Sequence, residues 1–261
     1  MMNKEFGYPA YGPDGTQVLT TAGGDYRDAL MDTAVCRLEA GETRTFLFPG
    51  EECAFLLIEG GVTFSWSGET VRGDRDSCFD NGAQVCALHV PRDVPVTLSA
   101  HRTAEVFLAR TENSEEFSPR FYSAQDIANV TSCAEICGGV CRRQVTTVFD
   151  GDTAPRSNLV LGETYPLPGK WCGYPPHSHP QPEVYYYRVD RPEGFGFCCV
   201  GDNVYKIKDR SFSLLAHGAM HPQVAAPGYR MYIIWAIRHL PGDPWRRGAN
   251  LPEYQWLERQ P

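Results

Sequence analysis

From Cys36 onward the chain breaks into short runs in which apolar positions alternate with polar ones or stand together, each run closed by turn residues: "CRLEAGETRTFLF", "ECAFLLIEGGVTFSWSGETV", "QVCALHVPRDVPVTLSA" and "AEVFLARTE". Val62, Phe64 and Trp66 alternate with Thr63, Ser65 and Ser67, the period-two signature of a strand with one buried face, and "SGE" predicts a hairpin turn after it. Residues 112–135 differ. They are polar, acidic and poor in β-branched residues, and predict a surface connection carrying a short helix that Ser123 or a neighbour caps. A second series of strands follows: "RRQVTTVFD", "SNLVLGETYPL", "EVYYYRVD", "GFGFCCVGD", "NVYKIKDRSFSLLA" and "YRMYIIWAIRHL". Strands recurring about every ten residues predict an all-β fold, a sandwich or barrel. The change of character divides the chain into a first domain at 1–128 and a second at 129–261.

The two halves echo each other. "IEGGVTFSWSGETVRGDRDSCF" with "ALHVPRDVPVTL" parallels "RPEGFGFCCVGDNVYKIKDRSFSLLAHGAMHPQVAA", a weak internal repeat of turn and strand. The 25 Gly and 20 Pro suit many turns and short strands, and 261 residues suffice for one large domain or two ordinary ones. The formal net charge of −8 argues against a nucleic-acid partner. Basic residues occur in pairs, Arg142–Arg143 and Arg246–Arg247, which read as solvated surface. The opening "MMNKEFGYPAYGPDG" lacks an apolar signal core, and no run approaches the roughly 18 apolar residues that span a bilayer. The expectation is a cytoplasmic protein without membrane association, most of whose ten cysteines are reduced thiols. Cys133, Cys137 and Cys141 have the spacing of one helical face. Gly138 and Gly139 would interrupt that helix and a fourth ligand is missing, so they read as buried or incidental thiols.

The chemistry of the halves is not repeated. Only the second contains "YPPHSHPQPEVYYY", with His177 and His179 in an H-x-H and Glu183 four residues on. In an extended chain residues two apart share a face, so the imidazoles can project together, although "PQP" favours a turn before Glu183. His221 follows the tight turn "AHGAM". Three imidazoles and a carboxylate make a mixed N/O site for a divalent metal, with Zn, Mn, Fe, Co and Ni all suited to the donors. H-x-H-x3-E followed by G-x2-H is also the two-part ligand motif of cupins, small β-barrels that hold a metal inside. The first half has no H-x-H, and its His89 and His101 read as structural or exposed.

"GKWCGYPPHSHPQPEVYYYRVDRPEGFGF" and "HGAMHPQVAAPGY", with "CRLEAGE", "FDN…ALHVPRDVPVTL" and "RRQVTTVFD", resemble the 5-deoxy-glucuronate isomerases, bicupin enzymes of bacterial myo-inositol catabolism. The resemblance spans most of the chain. It implies two tandem antiparallel jelly-roll barrels with the metal kept only in the second, and it matches His177, His179, Glu183 and His221 to the metal positions. Two departures stand out: the family usually carries a longer, acidic insertion where "PQP" lies, and Arg210 and Ala216 replace a glycine and a proline of its second motif.

The activity implied is an aldose–ketose isomerisation of a deoxy sugar acid, 5-deoxy-glucuronate to 2-deoxy-5-keto-gluconate, in carbohydrate metabolism. On the strand after Glu183, Tyr185 and Tyr187 share its face and are candidates for catalytic contact, while Tyr186 and Arg188 point out or towards the other domain. A run of tyrosines is otherwise strand packing. Glu163 is a carboxylate in an apolar strand, costly unless paired or useful. It matches a family glutamate and is the leading candidate for proton transfer, against the alternative of a salt-bridged edge residue. Lys170, Gln223, Tyr229 and Tyr232 are further candidates for binding substrate. Competing readings are a 4-deoxy-5-keto-uronate isomerase, an iron-dependent cupin dioxygenase and a non-catalytic sugar-binding bicupin. The aromatic C-terminal segment "DPWRRGANLPEYQWLERQP" is expected to pack on the first domain or on another subunit of a homo-oligomer.

Overall fold

The computed structural model describes residues 4–246 and 250–259. It is all-β and antiparallel, with helical turns limited to Arg27–Ala29 and Pro252–Arg259 among the described residues. No helix among them is long and apolar enough to cross a membrane. Strands from Thr16 to Ser123 form one sheet, built around two long strands, Glu51–Trp66 and Val96–Glu112, each of which turns from one partner to the next along its length. Strands from Asn129 to Arg238 form a seven-stranded and a four-stranded sheet. The exception to this division is Phe6–Gly7, which pairs with Phe212–Ser213 at the edge of the seven-stranded sheet.

The expected hairpin joins Trp66 to Glu69 through Ser67 and Gly68, both at positive φ (46° and 85°), the pairing of left-handed residues that matches strand twist. Val62, Phe64 and Trp66 are buried while Thr63 and Ser65 are partly exposed, so the alternation holds. The expected helix in 112–135 is absent. Arg120–Ser123 instead pairs with Cys86–His89, and Ser123 bonds through its backbone N–H and its hydroxyl to Asp126 across a turn. A sheet edge accepts a polar strand, because only one of its faces must be buried.

Each half encloses a core of its own, and a third core lies between them. Cys53, Phe55 and Leu57 point into the first barrel, while Ala54, Leu56 and Ile58 point at the second half. In the second half Tyr185, Tyr187, Ile233 and Trp235 line the barrel, and Val184, Tyr186, Tyr232 and Ile234 face the first half. The central strands are therefore buried on both faces and read as continuous apolar runs.

Charges cross this interface. Arg75, with no exposed surface, donates through Nη1 to Glu163 Oε1 at 2.6 Å and through Nη2 to Asp80 Oδ1 at 2.8 Å and Tyr165 Oη at 2.7 Å. Tyr165 and Tyr232 donate to the Glu163 carboxylate. Arg188 spans the halves as well, donating to Glu105 at 2.7 Å and Asp209 at 2.8 Å. Glu52, bonded to His89 at 2.9 Å, accepts from Ser157 Oγ at 2.9 Å.

Removing one member of the Arg75–Glu163 pair strands a buried charge. Arg75→Met is expected to lower unfolding free energy by about 3–5 kcal/mol, and the double variant Arg75→Met/Glu163→Leu to lose less than the sum of the two single changes. Denaturant unfolding checks both, and an additive double variant would contradict the coupling.

Candidate metal centre

His177 and His179 lie on the irregular segment between the short strand Trp171–Cys172 and the strand Glu183–Val189. They do not sit on a continuous strand: only His177 makes an isolated bridge, to Asn250. Glu183 opens the strand, and His221 stands two residues before the strand Gln223–Ala225. His179, Glu183 and His221 offer ligand atoms within 4.8 Å of one another, with Glu183 Oε2 at 3.2 Å from His179 Nε2 and 3.6 Å from His221 Nε2. The His177 ring stands edge-on to that of His221, with centroids 4.6 Å apart.

Backbone carbonyls aim the rings. Nδ1–H of His179 donates to the carbonyl of Gln181 at 2.9 Å, that of His221 to Ala219 at 2.9 Å, and that of His177 to Pro175 at 3.3 Å. Each contact places a proton on Nδ1 and turns Nε2 towards the cluster, where that of His179 meets the Glu183 carboxylate, the arrangement that supports metal-ligating histidines. His221 Nε2 is buried without a hydrogen-bond partner among the described residues. A metal would satisfy that costly atom, and three imidazoles with one carboxylate suit a divalent ion. The donor set therefore fits the expected cofactor.

Burial, followed by the neighbouring His221, pulls the His177 pKa down to about 4, so its ring is neutral at ordinary pH. Burial also lowers His221. For His179 burial opposes charge, but the hydrogen bond its ring donates to Glu183 and the negative charge of that carboxylate outweigh it and the pKa is raised. Burial would raise Glu183, yet the His179 hydrogen bond and the nearby imidazoles keep it below the ordinary value. The two neutral rings and the ionised carboxylate are in metal-binding form.

The "PQP" link secures this centre from behind. The Gln181 carbonyl holds His179, and its buried side chain donates to the carbonyl of Asp243 at 2.8 Å. Gly173 holds the other side: its φ is +60°, and a Cβ there would lie 2.7 Å from the carbonyl oxygen of His221.

The cluster faces a cavity of about 390 Å³ whose walls include His177, Tyr185, Gln223, Arg143 and Trp235. Tyr185 packs 5.8 Å from the His221 ring, and burial followed by the charge of Glu183 raises its pKa well above the ordinary phenol value. Gln223 is buried with Oε1 unpaired among the described residues. Tyr187 lies in the same barrel but is not on the cavity wall, and its hydroxyl bonds Ser213 Oγ at 2.7 Å.

Other expected site residues are elsewhere. Glu163 is on the opposite face of its strand, in the interface with Arg75, while its neighbour Thr164 lines the cavity. Glu163 is salt-bridged, as the alternative has it, but on an interior strand rather than at an edge, and it lies off the cavity wall that a proton-transfer group would need to reach. Tyr232 points the same way and donates to Glu163. Tyr229 packs on Phe195, and Lys170 lies outside the cavity wall. Arg143, expected on the solvated surface, lines the cavity, whereas Arg142 is exposed. Arg246 is exposed too, and Arg247 lies outside the described residues. Arg143 shares strand parity with Val145, a barrel-core residue, which was the signal available.

The described part of the C-terminal segment lies against the second half. Trp245, Asn250 and Glu258 line the metal-side cavity, and Trp245 stacks near Trp235 with centroids 6.3 Å apart. All ten cysteines are free. Cys133, Cys137 and Cys141 lie in turns rather than a helix, with Cys133 and Cys137 at positive φ, and they form no metal-type cluster among the described residues.

A family model described as the KduI/IolB family matches residues 10–257. The 5-deoxy-glucuronate isomerase of Bacillus velezensis is 24% identical over 240 residues, covering 85% of this chain and 86% of that protein. That of Bacillus subtilis strain 168 is 23% identical over 261 residues, covering 92% and 91%. An IolB-like protein from Salmonella typhimurium LT2 superposes with a TM-score of 0.86 at 19% identity, covering 98% of this chain and 99% of that one. A Bacillus subtilis oxalate decarboxylase mutant aligns with a TM-score of 0.67 at 14% identity, covering 100% and 82%. These structures share the fold.

Substituting Gly173 by alanine is expected to cost about 1–3 kcal/mol of stability, since a side chain is strained at that φ and collides with the His221 backbone. An unchanged urea midpoint would show that Gly173 does not hold the His221 loop.

Proposed function

The chain belongs to the KduI/IolB family, and from that membership we propose that it is a metal-dependent aldose–ketose isomerase of a deoxy sugar acid, converting 5-deoxy-glucuronate to 2-deoxy-5-keto-gluconate. The observation that carries this reading is the gathering of His179, Glu183 and His221, whose ligand atoms lie within 4.8 Å of one another, with His177 against the His221 ring and with His177, His179 and Glu183 on the cavity wall. These four residues are the proposed ligands. A divalent ion held there supplies Lewis-acid stabilisation of the negative charge that develops on the sugar oxygens as the carbon-bound proton leaves. Affinity order and availability select its identity among Zn, Mn, Fe, Co and Ni.

The chain's own residues supply the rest. Tyr185 stays protonated at neutral pH and reaches the cavity, so its hydroxyl can donate a proton to the sugar oxygen that becomes a hydroxyl and take one back from the neighbouring hydroxyl that becomes the carbonyl. The unpaired Gln223 Oε1 is a ready acceptor for a substrate hydroxyl. Trp235 and Trp245 flank the cavity and restrict water. With Glu163 committed to Arg75, no role in proton transfer falls to it. The small space needed by a six-carbon acid agrees with the cavity's roughly 390 Å³, at the lower end for ligand sites.

Incubation of purified protein with 5-deoxy-glucuronate, followed by NMR, is expected to yield the 5-keto product, with His221→Ala losing both bound metal and turnover. Absence of turnover in protein carrying one metal ion per chain would overturn the substrate assignment. Equal metal content in wild type and a His177→Ala/His221→Ala double variant would overturn the ligand assignment. Tyr185→Phe is expected to lower kcat by about 10²-fold or more. Tyr187→Phe, which loses only its bond to Ser213, is expected to cost about 1 kcal/mol of stability and leave kcat near wild type.

A further inference from the structure

Arg143 opens the strand Arg143–Phe149, which borders the cavity, and it is half-buried there. Its Nη1 donates to two backbone carbonyls, Cys141 at 3.0 Å and Tyr174 at 3.2 Å, which fix one edge of the guanidinium. Nε and Nη2 make no hydrogen bond among the described residues, and no carboxylate there lies within 4.0 Å of the group. That isolation contrasts with the other inward-facing arginines: Arg75 is paired with Glu163 and Asp80, and Arg188 with Glu105 and Asp209.

The remaining charged residues on the wall, apart from the imidazoles, are the carboxylates Glu183 and Glu258, and Glu258 is engaged by the side-chain amide of Asn250 at 2.6 Å. Arg143 is thus the one permanently cationic side chain among the described residues lining the cavity. A sugar acid entering this space would meet two carboxylates and needs a compensating cation. A planar guanidinium with a free edge provides one, with the fork geometry that recognises a carboxylate.

We propose that Arg143 binds the carboxylate of the substrate and so selects sugar acids over neutral sugars. The inference rests on the isomerase reading of the same cavity and deepens it. Arg143 is a binding residue that sets specificity; the carbonyls of Cys141 and Tyr174 position it. Substrate is then held at both ends, by the reacting oxygens at the metal centre and by the acid group at Arg143, which fixes the orientation of the carbon that loses its proton.

The test compares wild type, Arg143→Met and Arg143→Lys on 5-deoxy-glucuronate and on neutral 5-deoxy-glucose, with metal content measured on every sample. Arg143→Met is expected to raise KM for the acid by about 10- to 100-fold, the loss of hydrogen bonds to a charged group, with kcat changed less, the neutral sugar unaffected and metal content intact. Arg143→Lys should recover part of the loss. An equal fall for acid and neutral sugar, or no fall, would overturn the assignment while leaving the isomerase reading in place. Should wild type convert neither sugar, the isomerase reading fails, and calorimetry with D-gluconate decides Arg143 separately. Binding at least tenfold weaker to Arg143→Met supports it; equal binding to both proteins, or to neither, overturns it.

Discussion

The sheet that runs through the middle of the second half must bury both of its faces, and most of the structure's properties follow from that constraint. One face closes the barrel that holds the candidate metal ligands, and the other packs against the first half. Side chains alternate with a period of two, so every neighbouring pair of residues on these strands is divided between two environments. Tyr185 reaches the cavity while Tyr186 meets the first half, and Thr164 lines the cavity while Glu163 meets Arg75. A one-residue slip of the strand Glu183–Val189 would exchange a metal-facing carboxylate for a valine and move Tyr186 into the barrel.

The interface face carries polar groups at a cost. Arg75 and Glu163 are both removed from water, and such a pair seldom stabilises a fold more than well-packed apolar residues of the same size. Its value is in specificity. The guanidinium is reached by Glu163 and Asp80, and the carboxylate by Tyr165 and Tyr232, so the partners are satisfied only when the two halves meet in one register. Because Glu163, Tyr165 and Tyr232 sit on strands whose other face borders the cavity, the same contacts that join the halves hold the rear wall of the proposed site. The first half thereby acts on the site without contributing a ligand to it.

Much of the candidate site is legible in the sequence because its residues are short-range neighbours. His177, His179 and Glu183 fall within seven positions, and once Glu183 is taken as facing the cavity, parity correctly divides the tyrosines that follow it. The strand Leu159–Pro166 has no such anchor. Alternation says that Glu163 and Tyr165 share a face, but with both faces buried it does not say which one borders the metal, and the buried carboxylate was misassigned for that reason. Tyr232 failed in the same way. Arg143 was hidden by Arg142 beside it, since two adjacent basic residues resemble solvated surface although consecutive strand residues point apart. The strand Arg120–Ser123 escaped notice because an edge strand can be polar, and the cover supplied by the C-terminal segment depends on long-range packing that no local pattern encodes.

The proposed isomerisation requires that His177, His179, Glu183 and His221 hold an ion. The direct measurement strips the purified protein with a chelator, returns Zn, Mn, Fe, Co or Ni in steps, and follows bound ion and 5-deoxy-glucuronate conversion on the same samples. Activity that is absent in the stripped protein, rises in proportion to bound ion and levels off at one ion per chain is the predicted result. Full conversion by the ion-free protein would contradict it.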